Sequence, residues 1–213
     1  MKSLDLTLYL VTDSTGLTED LFLRTVEQAC AGGVTVVQLR EKEKDGRDYL
    51  DLAKKVKQIT DRYDVPLIID DRVDVAIAAD AAGVHLGQSD LPVSVARKML
   101  GKDKIIGASA KTVAQAEMAK ADGADYLGVG AIFPTTTKVV TVITEVSTLN
   151  DIAVRTGLPV VAIGGLNSSN VHVLYDSMAD GIAVVSAIMK SNDPCGAAGS
   201  LKEQVLRNFR TKK

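Results

Sequence analysis

Tryptophan is absent, and five tyrosines and three phenylalanines bring the aromatic share of the 213 residues to only 4%. So few flat rings leave little platform for stacking nucleic-acid bases. A cationic excess is missing too: 25 Lys and Arg against 27 Asp and Glu leave a net charge of −2, too balanced for electrostatic capture of nucleic acid. Cysteine is scarce. Cys30 and Cys195 form neither a disulfide framework nor a zinc pattern. They suit a reducing compartment, with packing as small buried residues the plain alternative. No apolar run approaches the ~18 residues needed to span a bilayer. The stretch from Met1 to Leu10 carries Lys2 and Asp5 and lacks the apolar core of a signal peptide. The expectation is a cytoplasmic protein that contacts neither membrane nor nucleic acid.

What is present is average globular composition, 46% apolar and 24% charged, which argues against disorder. Short Val/Ile/Leu-rich runs recur at Leu6–Val11, Val34–Leu39, Leu67–Ile69, Val84–Leu86, Ile105–Ala108, Tyr126–Val129, Val160–Ile163 and Ile182–Val185. Such runs read as strands covered on both faces. Helix-period segments alternate with them, marked by Leu21, Val26 and Cys30, by Leu50, Ala53, Val56 and Lys57, and by Val113, Ala116, Met118 and Ala119. Strand and helix in alternation mean right-handed βαβ units and a parallel sheet. Eight units of about 25 residues fill the chain, so the expected fold is α/β, a single-domain (β/α)8 TIM barrel over residues 1–213. An open doubly wound sheet would leave strands unassigned, and no dinucleotide glycine fingerprint follows the first strand.

Barrel chemistry sits at the C-terminal ends of the strands. Reading those ends gives Gln38-Leu39-Arg40-Glu41-Lys42, Asp70-Asp71, His85 to Asp90, Ser109, Pro134 to Lys138, Gly164-Gly165 and Val185-Ser186. Alternation puts Gln38, Arg40 and Lys42 on one face and Leu39 and Glu41 on the other. Arg40 can fork onto an anion and Lys42 can act as a point charge; a solvated charge run is the plain alternative. Asp71 and Asp90 could each cap a following helix. Carboxylates do not bind phosphate, so their presence beside Arg40, Lys42 and Lys138 also suggests a divalent ion, and all-oxygen ligation favours Mg2+. Gly164-Gly165 and Ser186 follow the seventh and eighth strands, the recurrent phosphate site of such barrels. His85 reads as a packed, hydrogen-bonded core residue, His172 as a surface residue on a helix, and Cys30 as inert. A mouth rich in anion stabilisers and poor in acid–base groups suggests departure of a stabilised leaving group.

These segments also carry a resemblance. Gln38-Leu39-Arg40-Glu41-Lys42, Asp71-Arg72-Val73-Asp74, Gly83-Val84-His85-Leu86-Gly87-Gln88, Ser109-Ala110, Gly128-Val129-Gly130 with Phe133-Pro134-Thr135 and Thr137-Lys138, Ala162-Ile163-Gly164-Gly165 and Val185-Ser186-Ala187-Ile188 together resemble the thiamine phosphate synthases over almost the whole chain. That family is a (β/α)8 barrel joining hydroxymethylpyrimidine diphosphate to thiazole phosphate, with pyrophosphate released by a dissociative route. The resemblance implies that Gln38, Arg40 and Lys42, with Ser109 and Lys138, hold the pyrimidine diphosphate, and that the flanking Leu39, Glu41 and Asp70 are substrate-binding as well. Arg40, Lys42, Ser109 and Lys138 would be catalytic. Asp71 and Asp90 would carry Mg2+, and Thr135, Thr136, Thr137, Gly165, Val185 and Ser186 would hold the thiazole phosphate. Homo-oligomerisation is left open. The sequence departs from the family pattern at Asp70, where the family usually has Asn, and after Lys138, where Val139 to Val146 replace an acidic residue and a later glycine. Asp70 could join the metal shell, weaken binding or titrate abnormally. A thiazole tautomerase relative would need a histidine where Ala131 stands and would lack the two aspartates. A non-catalytic phosphate-ligand barrel is the remaining alternative.

Overall fold

The computed structural model describes residues 4–135 and 143–209. Eight parallel strands run in chain order around a closed barrel: β1 (Leu8–Val11), β2 (Val36–Leu39), β3 (Leu67–Asp70), β4 (Gly83–Leu86), β5 (Ile105–Ala110), β6 (Tyr126–Val129), β7 (Val160–Ile163) and β8 (Gly181–Val184). Closure is direct: β8 pairs with β1, Tyr9 lying opposite Ala183. Around them lie α1 (Glu19–Ala31), α2 (Gly46–Arg62), α3 (Val73–Ala78), α4 (Val93–Leu100), α5 (Val113–Ala121), α6 (Val146–Thr156), α7 (Ser186–Met189) and α8 (Pro194–Asn208).

Alternation along each strand divides the core in two. Leu8 and Leu10 face outward into the layer shared with the helices. Tyr9 and Val11 face inward, where they meet Val36, Ile68, Tyr126, Val161 and Ala183. Helix starts follow from side-chain oxygens: Thr18 accepts from Leu21 N, Asp45 from Arg47 N and Asp48 N, and Thr112 from Gln115 N. The buried stripe of α1 is Phe22, Thr25, Val26, Ala29 and Cys30. Leu21 and Met118 mark the helical period, yet they lie on the solvent side, 45% and 62% exposed.

His172 does not lie on an α-helix. It is exposed on a single 3-10 turn, Val171–Leu174. The cause is local: Asn170 Oδ1 accepts from Asn167 N, and Asn167 Oδ1 from Ser169 N, bonds that compete with helical ones. At the N-terminal end of the barrel, Asp125 Oδ2 accepts from Ile106 N and pairs with Arg97, while Asp180 Oδ2 accepts from Val160 N. These acidic turns tie neighbouring strands together at that end of the barrel. Among the described residues no helix is long and apolar enough to cross a membrane.

Candidate active site

At the C-terminal ends of the strands a cavity of about 410 Å³ opens. On one arc, β2 and β3 deliver the charges. Lys42 Nζ pairs with Asp71 and lies 3.0 Å from Asp70 Oδ2, and Arg40 Nε is 3.7 Å from the same oxygen. Burial pulls the Lys42 ammonium down, but Asp71 and Asp70 outweigh it and hold it above the ordinary lysine range. Burial raises the Asp70 carboxyl, with Lys42 and Arg40 offsetting only part of the effect. The charge at Asp70 is thus directed at Lys42 and Arg40.

Asp71 has φ +59°, a left-handed conformation that Asp tolerates better than most residues. Its N–H donates to His85 O at 2.9 Å, so the strained turn is tied to β4. There Asp90 accepts from Gly87 N at 2.7 Å. Neither aspartate caps a helix: α3 begins after Arg72 and α4 after Pro92, both without a side-chain cap bond. Both are engaged at the mouth instead. The Asp90 carboxyl is raised, first by burial and then by its hydrogen-bond contact with Asp71. Two carboxylates pressed together beside a cation are a donor set that fits a hard divalent ion. Among the described residues no three His, Cys, Asp or Glu side chains form a metal cage, so water and substrate oxygens would complete the shell, as Mg2+ prefers.

The opposite arc is nearly uncharged. Thr135, Gly164, Gly165, Val185 and Ser186 line it. Gly164 and Gly165 have φ +108° and +63°, and a Cβ at Gly165 would lie 2.7 Å from Pro134 O. Only glycine meets both demands, and it brings backbone close to the space above. Between the arcs stand Tyr9, Gln38, His85 and Ser109, with Gln88 Nε2 donating to Ser109 O at 2.7 Å.

Gln38, Arg40, Lys42, Asp70, Asp71, Asp90, Ser109, Thr135, Gly165, Val185 and Ser186 therefore share one cavity. Leu39 and Glu41 are not in its lining: Leu39 is fully buried in the outer core, and Glu41 accepts from Ser14 Oγ on the other face of the segment. Thr136, Thr137 and Lys138 lie outside the described residues. Tyr9 joins the lining unannounced, while His85 and Gln88, placed at the fourth strand end by the sequence but given no binding role there, line it too. The available signal for Tyr9 was a polar-tipped ring at an inward-facing position of the first strand.

A closed parallel barrel whose cavity at the C-terminal strand ends sets a cationic arc against a glycine-hydroxyl arc has the architecture of a (β/α)8 enzyme. The thiamine monophosphate synthase family model matches residues 8–188. A thiamine-phosphate synthase of Methanobrevibacter smithii is 48% identical over 212 residues, covering 100% of this chain and 99% of that one. Thiamine-phosphate synthase 2 of Streptococcus pneumoniae is 56% identical over 188 residues, 88% of this chain and 90% of that one. The solved thiamine phosphate pyrophosphorylase from Pyrococcus furiosus superposes with a TM-score of 0.89 at 38% identity, covering 98% and 99% of the two chains. The chain belongs to the thiamine monophosphate synthase family. A 3-hexulose-6-phosphate synthase structure, TM-score 0.73 at 17% identity over 93% of this chain and 99% of that one, shares the fold alone.

Proposed function

We propose that this protein is a thiamine phosphate synthase, joining hydroxymethylpyrimidine diphosphate to hydroxyethylthiazole phosphate and releasing pyrophosphate. The observation that carries the reading is the meeting of Asp71, Asp90 and Lys42 on one arc of a cavity whose far arc is Gly165 and Ser186. Arg40 and Lys42 suit the diphosphate: a planar fork and a point charge, both aimed inward. Asp71 and Asp90 would hold Mg2+, which when bound neutralises charge on the departing pyrophosphate. The bond from the pyrimidine methylene carbon to the diphosphate oxygen breaks, and its electron pair leaves with pyrophosphate. The thiazole nitrogen then supplies the pair for the new carbon–nitrogen bond.

No strong base is required at the carbon. What the cation needs is a pocket that excludes water, and Val11, Val161, Ile163 and Ala183 supply apolar walls. Gly165 and Ser186 suit the phosphate of the thiazole, with Thr135 beside them. The contact of Asp71 with Asp90, and Ala131 where a tautomerase would carry histidine, favour the synthase over that relative. A cytoplasmic setting agrees with Cys30 and Cys195 standing as free thiols. Incubation with both substrates and Mg2+ is expected to yield thiamine phosphate and pyrophosphate. Absence of product from folded protein shown to bind both substrates would overturn the reading.

A further inference from the structure

A line of hydrogen bonds crosses the barrel interior beneath the cavity. Gln38 Nε2 donates to Tyr9 Oη at 2.8 Å, and Tyr9 Oη is 2.8 Å from Tyr126 Oη. Tyr126 Oη lies 3.0 Å from His85 Nδ1, and His85 Nε2 lies 2.9 Å from Ser109 Oγ. Gln38, Tyr9, His85 and Ser109 all line the cavity. Tyr126 is 0% exposed and takes no part in the lining, so it cannot touch a substrate.

The backbone is built to admit this line. His85, Gly107 and Tyr126 stand in register across β4, β5 and β6. A Cβ at Gly107 would overlap the Tyr126 ring and hydroxyl and reach His85 Nδ1. Glycine weakens a strand interior; here it opens the slot in which the two rings meet, centroids 5.6 Å apart.

Proton counting gives the line a direction. An amide nitrogen only donates, and a phenol has one proton. Burial holds both phenols above the ordinary tyrosine range, so each keeps that proton. Tyr9, receiving from Gln38, must donate to Tyr126. Tyr126 must then donate to Nδ1, which leaves the ring proton on Nε2. Nε2–H donates to Ser109 Oγ, and the serine's own proton is left for the cavity.

We propose that Tyr126 is a positioning residue: it holds His85 as the Nε2–H tautomer and thereby sets Ser109 as a hydrogen-bond donor toward substrate. The kinetic consequence rests on the synthase reading; the tautomer does not. The chain has only two histidines, so long-range 1H–15N correlation on 15N-histidine protein, with His172→Gln for assignment, reads His85 directly in the unaltered molecule. A single Nε2–H tautomer is expected, and an Nδ1–H tautomer overturns the proposal. Tyr126→Phe should lower kcat about tenfold, as loss of one ordered hydrogen bond does, with KM values within about twofold. In a Ser109→Ala background the same change should have no further effect. Equal loss in both backgrounds makes Tyr126 an ordinary packing residue and overturns the positioning role. A protein that reads Nε2–H but forms no thiamine phosphate sustains the ordered line and sinks the synthase reading instead, so the two failures are distinguishable.

Discussion

Asp71 concentrates the demands placed on single residues. Its left-handed backbone, its bond to β4 and its contacts with Lys42 and Asp90 all serve one placement of a carboxylate. Asp71→Ala should lower turnover about a hundredfold or more, and raising Mg2+ should not restore it; wild-type rates would put the metal elsewhere. On the far arc, Ser186→Ala should raise KM for thiazole phosphate about tenfold and move that for pyrimidine diphosphate about twofold at most. Equal effects on both would erase the division of the cavity into two anion sites. Asp70 makes a different prediction because burial raises its carboxyl. Between the ordinary aspartate value and the raised folded one, the folded chain keeps a proton that the unfolded chain has lost. Stability therefore falls as pH rises through that window, and the cost is complete above it. Asp70→Asn, restoring the residue the family usually carries, should raise Tm at pH 8, the gain shrinking as pH drops through the carboxylate range. Thermal scans across pH would show it, and a variant less stable at pH 8 would mean that Arg40 and Lys42 need the charge more than burial penalises it.

Elements were legible in the sequence to different degrees. All eight strands are where the apolar runs place them, because a strand buried on both faces has a composition no surface segment shares. Alternation likewise separated Gln38, Arg40 and Lys42 from Leu39 and Glu41, since that period belongs to one strand. The meeting of His85 with Tyr126 was not readable: it depends on register across three strands and on the missing side chain of Gly107. The convergence of Asp71 and Asp90 followed from their places on adjacent strand ends, whereas their failure to cap α3 and α4 did not, because the cap positions of those helices, Arg72 and Pro92, fall one and two residues beyond them. The helical glycines and strand glycines should separate under substitution. Gly107→Ala forces a methyl into occupied space and should cost about 1–3 kcal/mol, lowering Tm by roughly 3–10 °C in a chain of this size. Gly199→Ala, inside α8 where an added Cβ would meet Gly32 O at an ordinary 3.6 Å, should instead stabilise by about 0.5–1 kcal/mol. Denaturant unfolding of the pair distinguishes steric packing from helix propensity.

At the scale of the whole molecule, closure of the ring is what brings distant sequence together. The ends of β2 to β4 hold Arg40, Lys42, Asp70, Asp71 and Asp90, while the turns after β7 and β8 hold Gly165 and Ser186. A ligand on the cationic arc bridges the ends of β2, β3 and β4, so binding should register as stability of the whole barrel. A ligand at a hundred times its Kd that binds only the folded chain adds about 2.7 kcal/mol, or roughly 5–10 °C in Tm. Pyrophosphate with Mg2+ should produce a shift of this order, and pyrophosphate alone a smaller one held by Arg40 and Lys42. Asp71→Ala should abolish the Mg2+-dependent increment and keep the remainder. Ser186→Ala should keep both, because it lies on the other arc. Thermal scans of the three proteins with pyrophosphate, with and without Mg2+, measure all of this; a full shift without Mg2+ in the unaltered protein would make Arg40 and Lys42 the whole of the diphosphate site and leave Asp71 and Asp90 with no cation to share.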